Sequence, residues 1–448
     1  MKRTFAIALL FFCVAAQGWS QDEASAPLSQ SSWHPALNGD TGSLAFSAET
    51  EKINQLAGGV TLDSTYDDNA LGSATDHISN IGYGVMPNIS ITEVRNRSLF
   101  TLMYDPGFVW NQRMSPQNQA NQNLDFNGQY RLTEHLSARI HDNFVDQSSS
   151  FNQVMQNPSL PGGNVLTQPN QSVITPLAKQ LTNLTNADLE DQIGEGTNIG
   201  MSGTFNKLSF QEASNSPIQL YDNESWSGAA FYSHHLSDRH SVGATYTFQD
   251  LLTFGQMRER SQTQSLVLFY KLDPKPGLTF SIFAGPDHSI TNSQFQLVLG
   301  PFTIPVNNTE SMWLVDEGAN FSWQGQGTSA RISLIHHVTD GGGLTGAVQI
   351  YSGTLGLRRQ MSRTVIVDLA LNYGDNNPLS HVFGGAFSGY SGSIGVERLI
   401  GDHVSVSTRY GRAYQRYGEY GAGTANSSAN HNQAWVSVNY HFSRPLGR

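Results

Sequence analysis

His431-Asn432-Gln433-Ala434-Trp435-Val436-Ser437-Val438-Asn439-Tyr440-His441-Phe442, close to the end of the chain, sets Ala434, Val436, Val438, Tyr440 and Phe442 in strict alternation with Trp435, Ser437, Asn439 and His441. Successive residues of a strand point to opposite faces, so this stretch reads as a strand with one apolar and one mostly polar face. In a soluble sandwich the apolar face would be core. Which medium it meets here depends on the rest of the chain.

A chain of 448 residues could hold two or three soluble domains or one large closed sheet. Charged residues make up only 14% and hydrophobic residues 38%, with 43 glycines and abundant Asn, Gln, Ser and Thr. Soluble proteins of this size carry about 25% charge. A barrel wall accounts for the shortfall, because one face must avoid charge to meet lipid while the other needs only polarity to meet water.

Residues 1–20 read as a secretory signal, with Lys2 and Arg3 ahead of an apolar run and small or polar residues before cleavage after Ser20, or alternatively Gly18. Cys13 lies in that run without the small residues that a lipoprotein signal requires, so the exported chain is cysteine-free, without disulfides or thiol chemistry. No other run approaches the roughly 18 apolar residues of a spanning helix. The net charge of −11, with scattered cations, argues against nucleic acid as a partner.

After a periplasmic leader at 21–57, alternating segments continue to the end. Eighteen strands are expected, at 58–67, 79–92, 97–110, 121–132, 136–145, 196–205, 207–213, 223–235, 240–250, 260–272, 277–286, 310–323, 328–338, 347–358, 363–373, 386–399, 403–412 and 431–442. The weakest is 207–213, and because merging it with its neighbour would break the even parity, sixteen or eighteen strands are the counts expected. Short links at 93–96, 133–135, Asn206, 236–239, 273–276, 324–327, 359–362 and 400–402 alternate with longer ones, the pattern of periplasmic turns and external loops. The fold expected is an all-β, transmembrane, antiparallel up-and-down barrel over 58–442, with a short tail at 443–448.

Within this scheme Val365, Val367, Leu369, Leu371 and Tyr373 face lipid and Asp368 faces the lumen. Trp110, Phe144, Phe283, Tyr373 and Tyr410 belong to the outer rim, and Tyr130, Phe205, Tyr270, Trp323 and Phe442 to the inner one. In 310–323 the alternation would put Glu317 toward lipid, so a bulge near Asp316 or Glu317 is expected to turn both carboxylates inward. The long connection 146–195 follows the fifth strand. Thr175-Pro176-Leu177, with Leu181 and Leu184 at helical spacing, predicts a short helix over 176–190.

The closing Tyr440-His441-Phe442 resembles the C-terminal signal strand of bacterial outer-membrane barrels, read by the barrel assembly machinery, although six residues follow it here. Architecture resembles the general porins, whose third external loop folds inward. Thr61-Leu62-Asp63-Ser64-Thr65-Tyr66-Asp67-Asp68-Asn69, Asp76 and Tyr104-Asp105-Pro106 look like the β-barrel porins of the second type, some of which accompany exopolysaccharide or exosortase systems. That likeness covers residues 58–147. It implies the cell outer membrane, contact with its lipid, and no particular substrate.

No catalytic constellation is present and no cofactor or metal is called for. Gly341-Gly342-Gly343-Leu344-Thr345-Gly346 has the spacing of a dinucleotide fingerprint but sits between strands and opens no helix. His234-His235 and His336-His337 are adjacent in strands and point apart, so neither pair alone chelates an ion. Asp67, Asp68, Asp76 and His77 share one external region, read as loop solvation rather than an enzyme site. Lumen charges are expected at Arg131, Arg139, His141, Arg331, Asp368, Glu397 and Arg409, where they either tune solute passage or brace the wall by pairing. If the long loop folds inward, Asp188, Glu190 and Asp191 are its constriction residues. The leading expectation is a passive channel for small hydrophilic solutes, saccharides among them. The alternative is a plugged assembly barrel serving exopolysaccharide export, and a homo-oligomer is compatible with either.

Overall fold

The alternating stretch is the last strand, β18 (Ser428–Pro445), and it pairs antiparallel with the first, β1 (Gln55–Asp67), over that strand's whole length. Between them run β2 (Asn80–Val94), β3 (Ser98–Asn111), β4 (Gln119–Arg131), β5 (Leu136–Ser148), β6 (Lys179–Gly194), β7 (Thr197–Gln211), β8 (Asp222–Ser237), β9 (His240–Phe254), β10 (Arg258–Lys275), β11 (Leu278–Leu299), β12 (Phe302–Gln324), β13 (Thr328–Asp340), β14 (Ala347–Ser362), β15 (Val365–Pro378), β16 (Phe387–Ile400) and β17 (Val404–Tyr417). Each pairs with its chain neighbours, and the β1–β18 ladder closes the sheet into an 18-stranded barrel. The computed structural model describes residues 54–70, 77–113, 118–148, 178–211, 220–255, 258–299, 302–380, 385–417 and 428–446. The expected signal, most of the leader and Asp76 lie outside these.

The outer face is apolar. Val436, Val438 and Tyr440 of β18 are about half exposed, as are Leu371 and Tyr373 of β15 and Ile394 and Val396 of β16, whereas Ser437, Asn439, Asp368 and Glu397 turn inward. Closing the sheet pairs the backbone edges that lipid would otherwise meet, which is why barrels can span a bilayer, and the ladder falls short only along β12 above Glu317 among the described strands of the belt. Tyr66, Tyr83, Trp110, Trp226, Trp313, Tyr351 and Tyr390 are outward-facing and exposed, each about eleven residues above the periplasmic end of its strand. Tyr130, Trp323 and Phe442 ring the other end. About ten tilted residues between the two girdles span roughly 25 Å, the height of an apolar belt.

Short periplasmic turns depend on residues that accept a left-handed backbone. Gly277, between β10 and β11, has φ 76°, and its carbonyl accepts the Gln324 N–H at 2.6 Å, so the turn also ties down the neighbouring one.

The strand count agrees with the sequence reading, but two differences offset each other. Residues 179–194, expected as loop and helix, form β6. Leu181, Leu184 and Ala187 have helical spacing, yet in the barrel Leu181, Ala187, Leu189 and Ile193 share the outward face while Leu184 lies buried inside. Conversely, Asn206 is no turn: it is buried on the inner face of β7, which runs unbroken where two strands were expected. The connection after β5 therefore spans 149–178.

β11 and β12 continue past the expected 286 and 310 as a tall hairpin, paired from Leu278↔Trp323 to Leu299↔Phe302 without a break. The expected bulge at Asp316 and Glu317 does not occur. Asp316 turns inward and is buried, and Glu317 stays on the outward face with its side chain 55% exposed. Phe283, expected at the outer rim, is inward and buried, and Phe205 lies outward but well above the inner rim. At the ends of the chain, β1 begins within the expected leader and β18 extends through the expected tail to Pro445.

Candidate functional site

The external mouth is crossed by the tip of the β13–β14 hairpin. β13 pairs with β12 only up to Glu317↔His336, then continues beside β14 alone to Asp340. From His336 to Val348 every residue is buried, and Leu344, Thr345 and Val348 have no exposed surface. Six loop residues cannot be buried on a barrel rim unless they turn into the space the strands enclose.

The contacts confirm the direction. The Gly343 carbonyl accepts the Tyr221 N–H at 2.8 Å just before β8, and a side chain at Gly343 would fall within the ring of Phe210 on β7. Leu344 and Val348 share one buried apolar cluster with Phe387 of β16, Tyr417 of β17 and Ala429 of β18. β8 and β17 are nine strands apart in a ring of eighteen, so the tip bridges opposite walls. A turn within it is closed by Gly342 N–H to Asp340 Oδ1 at 2.7 Å and Leu344 N–H to the Gly341 carbonyl at 3.1 Å. Gly343 has φ 86°, which suits glycine. The glycine run is thus used for close packing rather than as a phosphate cradle.

Glu259, at the external end of β10 and 1% exposed, holds the other side of the tip. Its Oε1 accepts the Ala347 N–H at 2.9 Å and its Oε2 the Ser293 hydroxyl at 3.1 Å, while Gly346 leaves the room its carboxylate occupies. Burial raises its pKa from 4.5 to about 7, against the opposing pull of the Ala347, Ser293 and Ser380 hydrogen bonds and with help from nearby Glu310.

If the tip leaves the mouth, Glu259 meets water and returns toward 4.5. Between those two values the closed form holds a proton that the open form lacks. Closure is therefore strengthened as pH falls toward 4.5 and weakened as pH rises through 7, by at most tenfold in the open-to-closed ratio per pH unit. Conductance in planar bilayers is expected to be higher at pH 8 than at pH 5.5, and Glu259→Gln to flatten that dependence. A pH-independent conductance in the unaltered protein would contradict it.

Below the mouth, the charge pairs of the inner wall include two groups on roughly opposite sides. On β4–β6, His141 Nε2 lies 2.8 Å from Asp125 Oδ2 and Arg139 Nη2 lies 3.3 Å from Glu190 Oε2. On β14–β17, Arg409 reaches both oxygens of Asp368 at 3.0 Å, and Arg358 lies 3.7 Å from Glu397. Arg409 and Asp368 are two strands apart, and the bare Gly395 between them makes the contact: a Cβ there would sit 2.7 Å from Asp368 Oδ1 and 3.0 Å from Arg409 Nε.

Of the charges read from sequence, Arg139, His141, Asp368, Glu397 and Arg409 are thus paired within the wall, while Arg131 and Arg331 face inward at the periplasmic ends of β4 and β13. Asp188 and Glu190 also face the lumen, and Asp191 faces outward. All three belong to a wall strand rather than a constriction loop. Glu190 meets Arg139 as a neighbour on the adjoining strand.

The Tyr66-Asp67-Asp68-Asn69 run has a structural use. Asp67 accepts from His431 at 2.9 Å and Gln433 at 2.8 Å, and Asp68 accepts the Asn432 N–H at 2.7 Å. The Asn69 amide donates to the Asn430 carbonyl at 3.0 Å. These bonds clasp the top of β1 to β18, where the chain closes on itself. Tyr440 and Phe442 stand on the outward face of the same seam, the Phe442 ring against Gly58. His234 and His235 bond separately, to Thr197 and Ser241 at 2.9 Å each. Among the described residues no three His, Cys, Asp or Glu side chains gather as a metal site.

No protein-family model matches the chain. No curated protein matches it either. Among solved structures it is similar to the ferric-catecholate import receptor Fiu from E. coli K12, at 9% identity over 86% of this chain and 81% of that one, with a TM-score of 0.45. It is similar also to OpdQ of Pseudomonas aeruginosa, at 10% identity over 88% and 100% with a TM-score of 0.40, and to the outer membrane protein opdK of the same organism, at 9% over 87% and 99% with a TM-score of 0.40. No residue role carries over from them.

Proposed function

We propose that this protein is an outer-membrane channel for passive diffusion of small hydrophilic solutes, saccharides among them, with an external aperture set by the β13–β14 tip. The observation that carries the reading is the tip itself, lying across the mouth of a barrel whose strand number encloses far more space than wall side chains fill. Below it the inner wall is polar and carries paired charges, which water can solvate and which shape the field along the lumen. Pairing lowers the net charge a passing solute meets. Neutral solutes are therefore expected to pass about as readily as ions of either sign. Tyr440 and Phe442 are proposed as the signal read by the assembly machinery during insertion.

The test is planar-bilayer conductance together with liposome swelling in mono- and disaccharides. Small discrete current steps and swelling rates that fall with sugar size are expected. The tight seating of Leu344 and Thr345 favours one competing reading, a closed scaffold barrel serving export of an exopolysaccharide. Silence in both assays, before and after the tip is displaced, would establish that reading instead.

A further inference from the structure

The wall inverts its polarity on both faces at one place. On the inside of β10–β13, Val267, Phe269, Phe283 and Ile335 form a buried apolar cluster at a level where most other strands present polar groups to the lumen. Phe269, Phe283, Gly318 and Ile335 are successive partners across four strands, so the cluster is one continuous row. On the outside, one residue higher, Glu317 and His336 pair with Oε1 and Nδ1 3.8 Å apart, and the His336 ring stacks on Tyr351 at 3.8 Å and 9°. The ordinary barrel pattern is the reverse of this on both counts.

The ladder between β12 and β13 ends at this same pair. Above Glu317, β12 continues for fifteen residues to Phe302 with β11 as its one ladder partner among the described residues, because β13 has turned into the mouth. Glu317 lies about four residues below Trp313 of the outer girdle, so the break starts inside the apolar belt. An open strand edge facing hydrocarbon leaves N–H and C=O groups without partners. Membrane proteins tolerate such an edge only where it lines water or is covered by protein. Asp142, another outward carboxylate within the belt, has no such break beside it: its strand stays paired with β6, and it accepts the Thr185 hydroxyl at 2.5 Å from that strand.

From the coincidence of the broken ladder with the inverted faces, we infer that the β12–β13 seam is a side portal. It passes a single-chain amphiphile with a quaternary ammonium head between the barrel interior and the outer leaflet. The Glu317 carboxylate presents an anion to the cationic head at the depth where the ladder stops, and Tyr351, on β14 across His336, adds an aromatic ring. The apolar row receives the chain. To reach that row the chain slides between the wall and the tip, parting Val338 from Met312 and Leu314 on the inner face of β12. The axial mouth is occupied by the tip, so a lateral route along its flank would reach the interior without opening the mouth. This inference does not depend on conduction.

The experiment uses the whole protein in phosphatidylcholine vesicles with a trace of lysophosphatidylcholine carrying a diazirine at the end of its chain. After irradiation, adducts are mapped by mass spectrometry. Adducts are expected on the inward residues Phe269, Phe283 and Ile335 as well as on outward belt residues. Glu317→Lys should lower the inward adducts about tenfold and leave those on Leu371 and Ile394, on the far wall, unchanged. The heat-dependent shift on a detergent gel checks that this variant is folded, and Glu317→Gln, with a smaller expected loss, takes its place if it is not. Adducts confined to outward residues would overturn the portal, and so would inward adducts indifferent to the charge at 317.

Discussion

Gly343→Val is expected to raise single-channel conductance severalfold while leaving the barrel intact. The position fails for valine in two independent ways. Its φ of 86° is a conformation that β-branched side chains avoid, and the added carbons would enter the Phe210 ring. Phe210 lies on a wall strand held by its ladder to β6, whereas the tip is a six-residue connection held by side-chain contacts and isolated hydrogen bonds, so the tip yields. Once displaced, it gives up the Tyr221 bond, the Leu344 cluster and the Glu259 contact together, since all depend on one seating. None of these belongs to the eighteen ladders. The β-rich circular dichroism and heat shift should therefore match the unaltered protein, while the current steps grow. Unchanged conductance in an already conducting barrel would place the limiting aperture lower, at the charge pairs of β4–β6 and β14–β17.

The wall was legible in sequence because lipid imposes a period-two constraint on every strand at once. Val365 to Tyr373 and Ala434 to Phe442 declare their faces without knowledge of their neighbours. Legibility failed where that constraint is weak. The upper half of β6 offers lipid little, so its leucines could be read with a helical period, and the external ends of β11 and β12 stand above the girdle, where lipid imposes no alternation. Asn206 shows the complementary error: asparagine suits turns, but it also suits a buried position on a polar inner wall.

The tip was invisible for a different reason. Its glycines announce an unusual backbone, yet nothing local to residues 341–346 states that β13 will leave β12 at His336 or that Phe210, Glu259 and Tyr417, far away in the chain, will meet there. Glu317 carried a usable signal. An acidic residue at an outward position was read as a reason to expect a bulge, and the structure keeps the register and breaks the ladder instead.

Leu371→Arg and Asn372→Arg, adjacent substitutions that introduce the same side chain, are expected to differ by about 2–4 kcal/mol in barrel stability. Leu371 is outward and 45% exposed, about six residues above the periplasmic end of β15 and so near the midplane of the belt. A guanidinium there must either shed its hydration or snorkel half the thickness of the belt. Asn372 faces the lumen, where its amide donates to the Ser391 hydroxyl at 3.3 Å, and an arginine in its place loses that single neutral bond while staying in water. Backbone propensity, added bulk and net charge are common to both variants, so their difference isolates the medium each face meets. Urea unfolding of the folded barrel in lipid vesicles measures it, with midpoints compared at constant slope. Equal losses would mean that β15 is offset by one residue, which would exchange the lipid and lumen faces of that strand. A larger loss for Asn372→Arg would mean that the lumen at this level is packed and dry, and the channel reading would then give way to the closed scaffold.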